Sequence, residues 1–290
     1  YHIDKAKEQF KDVPRMIKAF EYWFGPYPFY EDGYKLVDAP YLGMEHQSAI
    51  GYGNHYKNGY DGRDLSGSGW GMKWDFIIIH ESAHEWFGNS ITAKDIADMW
   101  VQEGFANYAE TLYTEYYYGK KAATDYVVVI RKNILNDKPV IGHYGVNDEG
   151  SGDMYYKAGN MIHTIRQIIN NDEKFRKILR GMNEKFYHQT VTGKQIEDYI
   201  NQQSGINFSK VFDQYLKTTN IPELQYKKKG GKIYYRWANC VDGFNMPVKI
   251  YNSKDELIFI HPTTKFQSLP YKLKEIRVDE NFYVNTKDVN

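Results

Sequence analysis

An α+β fold is expected for this 290-residue chain, with a mainly helical domain over residues 1–222 and a small β-sandwich over residues 223–290. Apolar residues recur at helical spacing through most of residues 73–218, which gives each segment one face to bury. Residues 221–232 then change composition, with Pro222, the run Lys227-Lys228-Lys229 and the pair Gly230-Gly231 reading as a linker or an exposed hairpin. Beyond them apolar residues alternate in short stretches separated by turn residues, the pattern of half-buried strands.

In chain order, residues 4–24 carry Phe10, Val13, Ile17, Phe20 and Phe24 at helical spacing and stop at Gly25-Pro26, which predicts one amphipathic helix. Short β-prone pieces follow within residues 34–52, broken by Gly and Pro, and residues 53–70 form a glycine-rich loop. Helices are predicted over residues 74–88, 95–117, 120–135, 154–170, 172–187, 194–203 and 208–218, about seven in all. Strands are predicted at residues 233–237, 248–251, 257–260 and 275–278. Internal repeats, low-complexity tracts and heptad seams are missing from the sequence.

Bulk composition narrows the function classes. Lys plus Arg equals Asp plus Glu at 37 each, so no net field recruits nucleic acid or an anionic membrane. No apolar run approaches the length that spans a bilayer. The lone Cys240 cannot form an internal disulfide or a thiolate cluster and reads as a small core residue near a strand. The chain opens at Tyr1 in polar, helix-like sequence with no initiator methionine or leader pattern, and it is read as a fragment whose parent's location stays open.

The chemistry concentrates at His80-Glu81-Ser82-Ala83-His84, which sits on a strongly apolar helical pattern. Side chains four apart lie one turn above each other, so the two imidazoles can converge on one zinc ion. Glu81 is rotated off the ligand direction yet close enough to contact a water at the metal, the place of a general base. Glu103 follows His84 after eighteen residues, enough to end one helix and return on a second, antiparallel one. Two histidines and a carboxylate leave the fourth zinc position open, which means catalysis rather than a structural site. Phe87 and Ser90 stand where a metzincin needs its glycine and third histidine, so that class is excluded.

At this point the chain resembles the gluzincin aminopeptidases, the family of aminopeptidase N. The resemblance rests on His80 to His84, on Trp100-Val101-Gln102-Glu103-Gly104-Phe105-Ala106 and on Gly43-Met44-Glu45. It covers about residues 10–218 and implies a thermolysin-like catalytic domain, a single zinc ion and peptides with a free N-terminus as substrates. Thermolysin itself is a weaker comparison, since it carries an aspartate where this chain has Asn107. The family signature Gly-Ala-Met-Glu-Asn aligns with Leu42 to His46 and retains Met44 and Glu45 in place. By that resemblance Glu45 binds the substrate ammonium while the strand backbone around Gly43 and Met44 pairs with the peptide. Tyr155-Tyr156-Lys157-Ala158-Gly159 occupies the family's Tyr-x-Lys-Gly-Ala segment, with its last two residues inverted, and makes Tyr155 the donor to the oxyanion. The family also carries a β-rich domain ahead of this region.

Competing readings are a zinc endopeptidase, a hydrolase of another amide or an epoxide, and a metal-stabilised peptide-binding scaffold without turnover. His2, His55, His143, His163, His188 and His261 have no partner at ligand spacing, and Glu85 follows His84 on the wrong face, so all are read as structural or solvated. Asp98 could hydrogen-bond behind the ligand helix but is assigned no role.

Overall fold

The computed structural model describes residues 2–269 and 273–290. Its opening helical stretch is two helices, α1 (Ile3–Gln9) and α2 (Asp12–Phe24), not the single one expected. Pro14 explains the break. Its ring would strike the carbonyl four residues back in a continuous helix, but a proline is tolerated in the first turn of a new one. The second helix buries Met16, Ala19, Phe20, Trp23 and Phe24 along one face and ends at Gly25.

The β-prone stretch folds as a three-stranded sheet of β1 (Leu36–Asp38), β2 (Gly43–Met44) and β3 (Ile50–Tyr52). β3 is central, parallel to β1 and antiparallel to β2. Next comes α3 (Phe76–Ala83), whose first turn is capped by Asp75 accepting from the Ile78 amide. Its apolar residues Phe76 to Ile79 are all buried. The connection to the following helix holds β4 (Ile91–Ala93), which pairs in parallel with β5 (Gln189–Val191).

The long helix α4 (Trp100–Tyr118) is the core of the molecule, buried almost all round from Trp100 to Thr114. It is followed by α5 (Lys120–Val129) and, after an irregular stretch, by α6 (Tyr156–Ile169). A Cβ on Gly159 would lie 2.4 Å from Asn107 Oδ1, so the small residue lets α6 close directly onto α4. Three further helices complete this part: α7 (Asp172–Lys185), α8 (Gly193–Ser204) and α9 (Ser209–Lys217). Thr192 and Gln195 form a reciprocal capping box at the start of α8.

The Lys-rich stretch is a hairpin rather than a linker: β6 (Glu223–Lys229) and β7 (Lys232–Ala238) pair antiparallel, with Gly230 and Gly231 between them. β8 (Val248–Tyr251) and β9 (Leu257–Ile260) form a second hairpin. β10 (Gln267–Ser268) and β11 (Asn285–Asp288) flank the first, giving the order β10-β7-β6-β11. The strand expected at residues 275–278 is reduced to one bridge, Val278 to Ile250. Cys240 is half-buried just past the end of β7. Helices therefore dominate and the sheets are small, the α+β class expected. Among the described residues no helix is long and apolar enough to cross a membrane.

Candidate metal centre

His80 lies in the second turn of α3 and His84 is its C-terminal capping residue, both buried. Each ring is fixed by its far nitrogen. His80 Nδ1 lies 2.7 Å from Glu110 Oε1, and His84 Nδ1 lies 2.9 Å from the Phe87 carbonyl oxygen. Glu110 is itself held by the Tyr126 hydroxyl at 2.5 Å and by Asn107 Nδ2 at 3.2 Å. Partners of this kind set the orientation of a ligating imidazole and leave Nε2 free to ligate.

Both Nε2 atoms face one carboxylate oxygen. Glu103 Oε2, from the first turn of α4, is 3.5 Å from His80 Nε2 and 3.3 Å from His84 Nε2. Despite that proximity it is buried without a hydrogen-bond partner among the described residues. Burying an acceptor unpaired is costly, and a cation between the three atoms removes the cost. The three residues each offer a ligand atom within 4.8 Å of the others, so the cluster His80, His84 and Glu103 could bind a metal. Its donor set, two imidazoles and one carboxylate, suits zinc with an open position. Burial opposes the charge on Glu103, but the two histidines outweigh it and hold its carboxyl below the usual range.

A second cluster overlaps the first. Glu45, Glu81 and His84 also place one atom each within 4.8 Å of one another. Glu81 is buried on α3, and that burial pushes its carboxyl above the usual range. His80 and His84 oppose the shift, while Glu45 and Glu103 reinforce it. A Cβ on Gly43 would sit 2.6 Å from Glu81 Oε1 and 2.8 Å from Ile77 Cδ1. Glycine at that position therefore lets β2 lie directly on α3 and carries half-buried Glu45 to the edge of the cluster. Met44 is 43% exposed, and its backbone pairs with Gly51.

Tyr155 immediately precedes α6, with its ring centroid 6.0 Å from that of His80. Burial pushes its phenol up, and Glu103, Glu45 and Glu81 add to the shift, so the hydroxyl keeps its proton and remains a donor. Six of the expected residues are thus brought together: His80, His84 and Glu103 on the helix pair, Glu81 on α3, Glu45 just after β2 and Tyr155 at the start of α6. Gly43 backs onto Glu81, whereas Met44 is exposed and only its backbone pairing with Gly51 is seen. Asp98 lies elsewhere, accepting from the Gly193 amide and the Tyr144 hydroxyl, both at 2.8 Å. Glu85 is buried and accepts from the amide of Ser48, in the loop that follows β2, at 2.7 Å.

Glu110, Asn107 and Tyr126 were not anticipated. A signal existed for the first, because Glu110 follows Glu103 by seven residues, two helical turns, and so lies on the same face of α4. The Phe87 carbonyl leaves no trace in the sequence, since any residue supplies one.

Residues 9–215 match the Peptidase family M1 domain. The chain belongs to peptidase family M1. Aminopeptidase N of Lactococcus lactis subsp. lactis is 26% identical over 164 residues, covering 50% of this chain and 19% of that protein. Aminopeptidase B of Rattus norvegicus is 26% identical over 259 residues, covering 82% and 35%. In fold the chain resembles the M1 zinc metallopeptidase of Deinococcus radiodurans, with a TM-score of 0.56 at 22% identity over 73% of this chain and 44% of the other. The chain thus spans about a fifth to about a third of the length of these two curated relatives.

Proposed function

We propose that this chain is the catalytic portion of a zinc aminopeptidase, with residues 1–222 as the catalytic domain and residues 223–290 as a small β domain. The observation that carries the reading is the overlap of the two clusters, which puts Glu45 and Glu81 within 4.8 Å of the ligand atom of His84. A structural metal site has no use for two further carboxylates beside its ligands. An enzyme that must hold a substrate ammonium and move a proton does.

His80, His84 and Glu103 would hold one zinc ion, which when bound supplies Lewis-acid polarisation of the scissile carbonyl and lowers the pKa of water. Glu45 pairs with the α-ammonium of the peptide and so fixes which bond lies over the site. Glu81 takes the proton from the attacking water and returns it to the leaving amine, a shuttle suited to a carboxylate whose pKa burial raises above the usual range. Tyr155, protonated throughout, donates to the carbonyl oxygen as charge develops there. The aminopeptidase names of the curated relatives support the exopeptidase choice over an endopeptidase or an inactive scaffold.

The test compares hydrolysis of aminoacyl-anilides with that of their N-acetylated counterparts, before and after chelation. Cleavage confined to free amines, lost with the metal and restored by zinc, is expected. Equal cleavage of the acetylated set would make the protein an endopeptidase, and no cleavage by zinc-loaded protein would mean a missing domain or a scaffold.

A further inference from the structure

The loop that follows β2 has an unusual set of supports. Two of them come from the segment that follows ligand His84. Glu85, fully buried, accepts the Ser48 amide on Oε1 at 2.7 Å. Asn89 donates through Nδ2 to the carbonyl oxygen of Glu45 at 2.8 Å. The same Asn89 is tied by its own amide to the carbonyl of His84, also at 2.8 Å. A short covalent and hydrogen-bonded path therefore joins the backbone of a metal ligand to the backbone of the residue that faces the substrate amine.

The loop is not relaxed. Ser48 is buried with φ 57, a left-handed conformation that an L residue rarely holds unless its surroundings impose it. The bond to Glu85 falls on that residue's amide. Of the other side-chain ties, Gln47 Nε2 to Asp32 Oδ2 at 2.7 Å and Tyr41 to His46 Nε2 at 3.1 Å are exposed, and Gln47 Nε2 to Ser48 Oγ at 3.2 Å stays within the loop. The turn closed by the Ala49 amide on the His46 carbonyl shapes the loop without anchoring it to α3.

We propose that Glu85 and Asn89 are positioning residues: they clamp the Glu45–Ser48 backbone to the end of the ligand helix and so set the reach of the Glu45 carboxylate to the metal centre. This rests on the reading of Glu45 as amine anchor. Neither residue touches substrate in this scheme. Their loss is expected to blunt recognition of the ammonium group, whose pairing with Glu45 needs a fixed distance, more than it blunts the chemical step.

The experiment measures by calorimetry how much more tightly zinc-loaded protein binds an amino-acid amide than its N-acetylated form, alongside KM and kcat on an aminoacyl-anilide. Asn89→Ala and Glu85→Ala are expected to cut wild-type discrimination by about tenfold, through a raised KM with a smaller change in kcat. Zinc stoichiometry should stay at the wild-type value. Glu85→Gln keeps an acceptor for the Ser48 amide and should restore most of the discrimination. Should Glu85→Ala fail to fold, half-buried Asn89 decides the matter through Asn89→Ala and Asn89→Asp. Unchanged discrimination in folded, zinc-loaded Asn89→Ala would overturn the clamp alone. A wild type that does not distinguish the two amides would instead overturn the anchor role of Glu45, and the clamp with it.

Discussion

Helix α3 has a buried polar cluster at each end, and they differ in one respect. At its start, both oxygens of Asp75 are saturated. Oδ1 accepts from Asn54 at 2.8 Å and from the Ile78 amide at 3.2 Å, and Oδ2 accepts from Tyr52 at 2.6 Å and Gln9 at 2.8 Å. At its end, Glu103 Oε2 faces two imidazoles and has no hydrogen bond among the described residues. Burial and polarity are alike, so neither distinguishes a site from a structural knot. What differs is satisfaction: the members of the Asp75 cluster complete one another, whereas the Glu103 oxygen is left open between two imidazoles, where a cation would complete it.

Exchanging the two kinds of damage tests this contrast. The largest effect is expected at the open cluster. Glu81→Gln should keep its zinc and its unfolding midpoint but lose about 10³-fold or more in kcat, since both proton transfers vanish. A steady-state assay with metal analysis reads this directly, and turnover near the wild-type value would remove Glu81 from the mechanism. The closed cluster should answer the opposite way. Asp75→Ala strands the Tyr52, Asn54 and Gln9 donors and uncaps α3, a loss of roughly 2–4 kcal/mol in urea unfolding. The protein that remains folded should turn over at close to the wild-type rate. A large fall in kcat without a fall in stability would show that the knot belongs to the site.

Much of the open cluster was legible because its signal is local. Helical spacing puts His80 and His84 on one face, and a return distance brings Glu103 back to it. Glu45 and Tyr155 came from the family resemblance rather than from spacing, and the fold brings both to the same place. What stayed hidden depends on chain segments meeting from afar. The β4–β5 pair joins residues 91–93 to residues 189–191, and three residues on either side carry too little pattern to announce a strand. Asp75 stands unremarked inside the predicted helix over residues 74–88, because its partners Tyr52, Asn54 and Gln9 arrive from other elements. The break before α2 was readable from Pro14, whereas the alternation at residues 275–278 promised a strand that lacks a partner along its length.

A third buried histidine extends the contrast at smaller amplitude. His163 on α6 is as buried as His80, but both its nitrogens are engaged, Nδ1 with the Tyr108 hydroxyl at 3.0 Å and Nε2 with Asn281 Oδ1 at 2.9 Å. Burial drives its pKa down to about 3 from an ordinary 6.5, with Arg166 and Arg131 adding to the shift and Asn281 and Asp172 opposing it. Between those two values the unfolded chain binds a proton that the native one refuses, so stability rises with pH across the window and is lost on acidification. At pH 5 this one group should cost about 2 kcal/mol relative to pH 7.5. His163→Gln removes the titration while leaving a side chain able to meet both partners. Its urea midpoint should therefore fall less than that of the wild type between pH 7.5 and pH 5. Equal losses in the two proteins would mean that His163 accepts its proton in the native state, and that its hydrogen bonds are looser than those that close the knot at Asp75.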